Sequence, residues 1–217
     1  MRIVLVGATG LVGSKLLPLI RNHDLLVLTR RPTGTGVAER IAAAVEWPRL
    51  LSGTSIDAAV STLGATWKMA GSWAEFERVD RTAVVEFARA ARDGGASQLV
   101  SVSSVGADPD SNNRYLALKG RTEADLAGIG FARLDLLRPG LLRGERGSDR
   151  PFLERFGIAI SPVTNLLLRG RRDRFAAIDA ADVACAIAAL LKQREPGVFV
   201  HHNREIKGWV RGGTKTE

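Results

Sequence analysis

Cysteine is nearly missing. Cys185 is the single one in 217 residues, so no intrachain disulfide forms and packing must hold the core. It lies in the alanine-rich apolar run of residues 180–191, where a buried, inert thiol is expected. Histidine is scarce as well. With only His23, His201 and His202, no four-ligand nitrogen–sulfur site can be assembled without carboxylates, and no metal is expected. The adjacent His201 and His202 read as bordering a strand. Long apolar runs are absent too: the N-terminal one stops at Gly7, far short of the roughly 20 residues of a membrane span. No small-residue cleavage pattern follows it, so neither a secretory leader nor a membrane partner is expected, and the chain reads as cytoplasmic.

What is present points to a globular protein. Hydrophobic residues make up 45% and charged residues 25% of the chain, far from the composition of a disordered segment. The length fits one domain, residues 1–217, with a core over about 1–140 and a small substrate lobe over about 141–217. Lys+Arg 31 against Asp+Glu 23 gives a net charge of +8, which invites either a nucleic-acid or an anionic-ligand reading. One basic cluster stands out, at Arg169, Arg171, Arg172 and Arg174, interrupted by Asp173. No aromatic-interleaved stripe or nucleic-acid module accompanies it, so a solvated face or a grip on an anionic substrate is expected, and no nucleic-acid partner.

Strand and helix patterns alternate. Residues 3–6, 25–28, 58–61, 99–103 and 132–137 are short apolar runs, the pattern of strands buried on both faces of a parallel sheet. Between them, Leu11, Val12, Leu16, Leu17 and Ile20 recur at helical spacing, as do Phe76, Val79, Ala83, Val84, Phe87 and Ala91. Further helices are expected over 115–129 and 180–191, and a third strand near 42–45. This alternation predicts an α/β fold: a doubly wound, mostly parallel Rossmann sheet.

The turn after the first strand reads Gly7-Ala8-Thr9-Gly10-Leu11-Val12-Gly13 and opens a helix. Glycines there let a pyrophosphate approach the backbone and the positive end of the helix. Strand, turn, helix and second strand in about 30 residues is the context that a dinucleotide fingerprint requires. An NAD-selective site would carry Asp or Glu at the end of the second strand, to accept from the ribose hydroxyls. Here Thr29, Arg30 and Arg31 stand instead. Guanidinium groups suit a 2′-phosphate, so NADP(H) is the expected cofactor, preferred over NADH.

A second constellation follows. Ser103 and Ser104 end a strand, and Tyr115 and Lys119 sit four apart, on one face of the next helix. A nearby ammonium favours the phenolate and is expected to lower the tyrosine pKa towards neutrality, giving a usable acid/base. Either serine can hold a substrate oxygen against that phenol. Tyr115 is the only tyrosine in the chain.

In these residues the chain resembles the short-chain dehydrogenase/reductase superfamily, in its compact atypical, extended-like branch. The resemblance rests on residues 6–13, Ser103 to Asp108, Tyr115 with Lys119, and the Leu-Arg-Pro-Gly-Leu-Leu run of 137–142. Residues 102–142 are similar to the Tat-interacting-protein-like NADP-binding proteins and their bacterial epimerase-like relatives. Residues 63–72, with Phe76, Val79 and Asp80, are similar to the bacterial members. The resemblance implies that Gly7, Ala8, Thr9, Gly10, Leu11, Val12 and Gly13 cradle the pyrophosphate and that Arg30 and Arg31, after Thr29, take the 2′-phosphate. It implies that Leu63 and Gly64 pass the ribose and that Pro139, Gly140 and Leu141 border the nicotinamide. Tyr115 would be the acid/base, Lys119 would bond the ribose, and Ser103 or Ser104 would position the oxygen. Commoner members carry Asn near the place of Asp80, a departure that bears on any proton relay.

The expected activity is therefore hydride transfer to or from a small carbonyl or alcohol substrate. The stretch beyond residue 140 is short for gripping a nucleotide-sugar. A second reading stays open, because Tyr115 and Lys119 also bind ribose: an NADP(H)-binding regulatory protein that senses nucleotide state and acts through a partner.

Overall fold

A computed structural model of the chain describes residues 1–65, 70–144 and 174–212. The elements are β1 (Arg2–Val6), α1 (Leu11–Ile20), β2 (Asp24–Thr29), β3 (Ala38–Ile41), α2 (Trp47–Leu51), β4 (Ala58–Ser61), α3 (Trp73–Glu77), α4 (Ala83–Asp93) and β5 (Gln98–Val102). They continue with α5 (Arg114–Ala127), β6 (Arg133–Leu137), β7 (Leu142–Arg143), β8 (Ile178–Asp179), α6 (Ala180–Leu190), β9 (Gly197–His201) and α7 (Asn203–Gly212). Seven strands form one sheet in the order β3-β2-β1-β4-β5-β6-β9, and each neighbouring pair is parallel. The doubly wound Rossmann sheet expected from the sequence is thus what the chain forms. Strand order reverses between β1 and β4, and ligands of such sheets bind at the carboxyl ends beside that reversal.

The apolar runs explain the layering. Side chains alternate across a strand, so Ile3 and Leu5 face one layer while Val4 and Val6 face the other. The first layer is α1 with α6: Leu16, Leu17 and Ile20 pack with Val183, Ile187 and Leu190. The second holds α2 and α4, with Trp47, Leu51, Val84 and Phe87. Cys185 lies partly buried within α6.

Three features differ from the sequence pattern or add to it. The third strand is Ala38–Ile41, and residues 44–46 form a single 3₁₀ turn instead. This edge strand covers only one neighbour and leaves Ile41 exposed, so it lacks the apolar run that marks a buried strand. The helix expected from the spacing of Phe76 to Ala91 is interrupted: Ala83 N–H donates to the Arg78 carbonyl, five residues back, which makes a π turn of Arg78–Thr82. Finally, the sheet does not end at β6. β9 pairs with it over Arg133–Leu137, and a buried polar cluster ties the two strands together. Arg133 donates to Asp135 at 2.7 and 2.8 Å, and His201 Nε2 stands 2.9 Å from the same carboxylate.

Candidate functional site

The site opens at the carboxyl ends of β1, β2, β4 and β5. Gly7 leaves β1 with φ +84°, a conformation that side-chain-bearing residues rarely adopt, and a Cβ there would meet the Thr62 backbone at 2.6 Å. Thr62 fastens this turn: its Oγ1 donates to the Val6 and Gly7 carbonyls at 3.1 and 3.0 Å. Gly10 N–H donates to the Gly7 carbonyl at 2.9 Å and Gly10 caps α1 in extended conformation. The first-turn amides of α1 therefore face an open cleft of about 360 Å³. Gly7, Thr9, Gly10, Leu11 and Val12 line it; Ala8 is buried in the core beneath, and Gly13 packs against the Gly7 carbonyl.

The end of β2 supplies the cleft's basic wall. Arg30 lines it, while Thr29 and Arg31 do not. Thr29 sets the turn instead, donating from Oγ1 to the Arg31 carbonyl at 2.7 Å. Glu75 lines the same wall, bonded to Arg78 at 2.7 Å, and its carboxyl is held below the usual range by that hydrogen bond, with help from Arg78 and Arg30. Leu63, Gly64 and Ala65, after β4, pass along the floor.

Tyr115 and Lys119 come from the first turns of α5. Asn113 caps this helix, its Oδ1 accepting from the Tyr115 and Leu116 N–H groups at 3.0 and 3.2 Å. Both side chains reach the cleft, and the Lys119 ammonium lies 6.0 Å from the Tyr115 ring centre. A partner absent from the expected site completes the group. Asp80, 1% exposed, meets Lys119 Nζ at 2.6 Å and accepts the Ala65 N–H at 2.6 Å. The π turn carries it there, and the Asp80 carbonyl accepts from Thr122 Oγ1 of α5 at 3.3 Å.

This pair changes the electrostatics that the Tyr–Lys spacing suggests. Burial works against the Lys119 ammonium, but the Asp80 carboxylate, with Tyr115 and Glu123, outweighs it and raises the lysine above its ordinary pKa. Burial also raises the Tyr115 phenol. Lys119 and a hydrogen bond with Ser104 pull it down, Asp80 pushes it up, and the net direction is upward. The expected lowering of Tyr115 is therefore reversed: burial dominates, and Asp80 offsets part of the pull of the ammonium.

The two serines part company. Ser103 lines the cleft, and its buried Oγ has no hydrogen-bond partner among the described residues. Ser104 turns to the Tyr115 hydroxyl and the Val105 carbonyl. Pro139, Gly140 and Leu141 do not line the cleft; Leu142 does. Gly140 N–H instead donates to Asn203 Oδ1 at 2.9 Å, tying the loop to α7. Thr62 and Glu75 are site residues that sequence patterns left out, and Asp80 stood there only as a departure from the usual Asn, without its contact to Lys119. Trp67, Lys68, Met69 and the basic residues Arg169, Arg171 and Arg172 lie outside the described residues; Arg174 is described, with its guanidinium 4.9 Å from the Phe175 ring centre.

No family model matches the chain. Relatives do. The chain is 31% identical to the protein fmp52-1, mitochondrial, of Aspergillus terreus, over 98% of this chain and 95% of that one. It is 30% identical to the FMP52 protein, mitochondrial, of Meyerozyma guilliermondii, over 95% and 94%. Among solved structures, the UDP-glucose 4-epimerase of Thermotoga maritima superposes with a TM-score of 0.68 at 16% identity, over 100% of this chain and 84% of that one. The human epimerase family protein SDR39U1, solved with NADPH, gives 0.65 at 21% identity, over 93% and 74%.

These relatives correct one expectation. The chain was expected to be cytoplasmic, whereas the relatives that match nearly all of it are named as mitochondrial proteins. The expectation rested on the want of a secretory leader, which has no bearing on a mitochondrial address. With sequence agreeing over almost the whole length, the chain belongs to the Fmp52 family, and its fold is the Rossmann fold of these solved structures.

Proposed function

We propose that this protein is an NADP(H)-dependent oxidoreductase of the short-chain type, acting as a single domain on a small carbonyl or alcohol. One observation carries the reading: a single cleft holds the glycine turn, Arg30, the unpartnered Ser103 hydroxyl and the Tyr115–Lys119 pair. A dinucleotide fits the residues present. Gly7 and Gly13 have no room for a side chain, the amides at the start of α1 suit a pyrophosphate, and Arg30 offers charge to a 2′-phosphate. SDR39U1, on the same fold, was solved with NADPH, and MoeE5 with NAD.

When bound, the cofactor supplies or accepts a hydride at its nicotinamide ring. This chain's residues do the rest. Thr9, Gly10, Leu11 and Val12 would hold the phosphates by backbone amides, and Leu63 and Gly64 would flank the ribose. Lys119 bonds the second ribose and fixes Tyr115. Ser103 offers its free hydroxyl to the substrate oxygen, and Tyr115 moves the proton at that oxygen. The mitochondrial names of the relatives support the same compartment for this protein.

Fluorescence titration with NADPH and NADH, followed by a panel of small aldehydes and ketones with wild type and Tyr115→Phe, tests the proposal. Tighter NADPH binding is expected, with turnover lost in Tyr115→Phe while binding is retained. No NADPH binding overturns it; binding without turnover that Tyr115→Phe leaves unchanged favours a nucleotide-sensing protein.

A further inference from the structure

We propose that Asp80 is a positioning residue whose carboxylate clamps the Lys119 ammonium and offsets its charge, so that the proton needed for carbonyl reduction rests on Tyr115. The inference rests on the oxidoreductase reading above and deepens it by naming the substrate class, an aldehyde or ketone.

The geometry is specific. Lys119 and Asp80 are 6% and 1% exposed and 2.6 Å apart, and the second carboxylate oxygen of Asp80 is taken by the Ala65 amide. One carboxylate thus joins the cofactor-facing loop after β4 to the catalytic helix α5. A regular helix over residues 73–93 would rotate position 80 relative to its neighbours; the π turn is what presents it here. Facing Tyr115 are Lys119 from its own helix, Asp80 from the π turn, Ser104 from the loop after β5 and the Phe76 ring of α3 at 5.9 Å; Glu123 faces Lys119 from one turn further along α5.

An isolated ammonium 6.0 Å from the ring would draw the phenol towards phenolate, the form that accepts a proton from an alcohol. Paired with Asp80 it does so less, and burial of the phenol opposes it further. The phenol then stays protonated across the neutral range, ready to give its hydrogen to a carbonyl oxygen as the hydride reaches the carbon. The O–H bond of Tyr115 breaks, that of the product alcohol forms, and solvent reprotonates the phenolate. The electron pair comes wholly from the reduced cofactor. The equilibrium of the reaction is untouched; what Asp80 sets is which protonation state the enzyme waits in, and so the pH ranges over which each direction runs.

The single tyrosine makes this measurable without a known substrate. Tyrosinate absorbance would be followed against pH in wild type, Asp80→Asn, Asp80→Glu and Asp80→Asn with Lys119→Met. Asp80→Asn is expected to lower the Tyr115 midpoint by about 1 pH unit or more, since it leaves a single charge close to the ring. Asp80→Glu should restore the wild-type midpoint. The double variant, which buries no lone charge, should lie within about half a unit of wild type by the same reasoning, and it keeps the test alive if Asp80→Asn does not fold. A midpoint in Asp80→Asn equal to or above wild type, or a double variant more than about one unit from it, overturns the proposal. NADPH titration of the same samples separates the two readings: absent binding sinks the oxidoreductase, whereas retained binding with an unshifted phenol sinks this inference alone.

Discussion

A Cβ on Gly13 would stand 2.2 Å from the carbonyl oxygen of Gly7, less than any two such atoms tolerate. The glycine turn therefore closes on itself as well as on a ligand: Gly13 lets α1 lie against the end of β1, and Gly7 lets that strand pass Thr62. Gly13→Ala must push the helix start away from the sheet. A loss of about 1–3 kcal/mol is expected, as for other overpacked sites, together with weakened NADPH binding, because the amides at the helix start lose their aim. Urea denaturation and NADPH fluorescence would show both. Full stability with wild-type binding would mean that the turn relaxes at no cost.

Arg30 and Arg31 should behave differently although they are neighbours. Only Arg30 lines the cleft, whereas the Arg31 backbone is occupied with the Thr29 hydroxyl. A charge-assisted bond to a 2′-phosphate is worth about 1.5–3 kcal/mol, or roughly 10- to 100-fold in affinity. Arg30→Ala should lose that much for NADPH and little for NADH, and Arg31→Ala far less for either. Equal losses for the two cofactors would place Arg30 away from the 2′-phosphate.

Ser103 offers a sharper separation of stability from function. Its hydroxyl is buried without a partner, a state that costs about 1–3 kcal/mol. Ser103→Ala should therefore melt no lower than wild type, yet reduce turnover with a carbonyl substrate by about tenfold or more, the worth of one lost hydrogen bond. Ser104→Ala should instead move the Tyr115 titration upward, because the bond it removes favours phenolate. A destabilised Ser103→Ala with normal turnover would reverse the two roles.

Much of this was legible in the amino-acid order, and the exceptions share a cause. The buried strands announce themselves because both faces need apolar side chains, as in Ile3-Val4-Leu5-Val6. The glycine turn and the Tyr115–Lys119 spacing are local, so a short stretch of chain contains the whole signal. β3 was displaced by a few residues because Ala38-Glu39-Arg40-Ile41, at the edge, keeps one side wet and carries no such run. Asp80 was readable as a departure from the usual Asn but not as the partner of Lys119. That contact depends on one extra residue in a helical turn, and hydrophobic spacing does not report it. The direction of the Tyr115 shift followed the same course, since spacing revealed the lysine but neither the burial of the phenol nor the carboxylate behind the lysine.

The polar cluster between β6 and β9 lies away from the cleft and makes a prediction about acid stability. Asp135 is fully buried and receives two bonds from Arg133, a longer one from Gln98 Nε2 at 3.4 Å and one contact from His201. Burial alone would raise its carboxyl, but the hydrogen bond with His201 and those from the Arg133 guanidinium prevail and hold it below the usual range. A group depressed in the folded state adds stability that is complete above its unfolded pKa, near about 4, and is lost as pH falls through the folded value. Wild type should thus hold its urea midpoint down to about pH 4 and lose it steeply below. Asp135→Asn removes the charge that Arg133 needs, so it should cost about 3–5 kcal/mol at pH 7, as breaking a buried pair does. Its stability should then fall less steeply at acid pH, since that carboxyl no longer titrates. Urea midpoints from pH 7 to pH 2.5 in both proteins would decide it. Parallel acid limbs, or an Asp135→Asn protein as stable as wild type at neutrality, would mean that the sheet's ladder alone holds β9 in place.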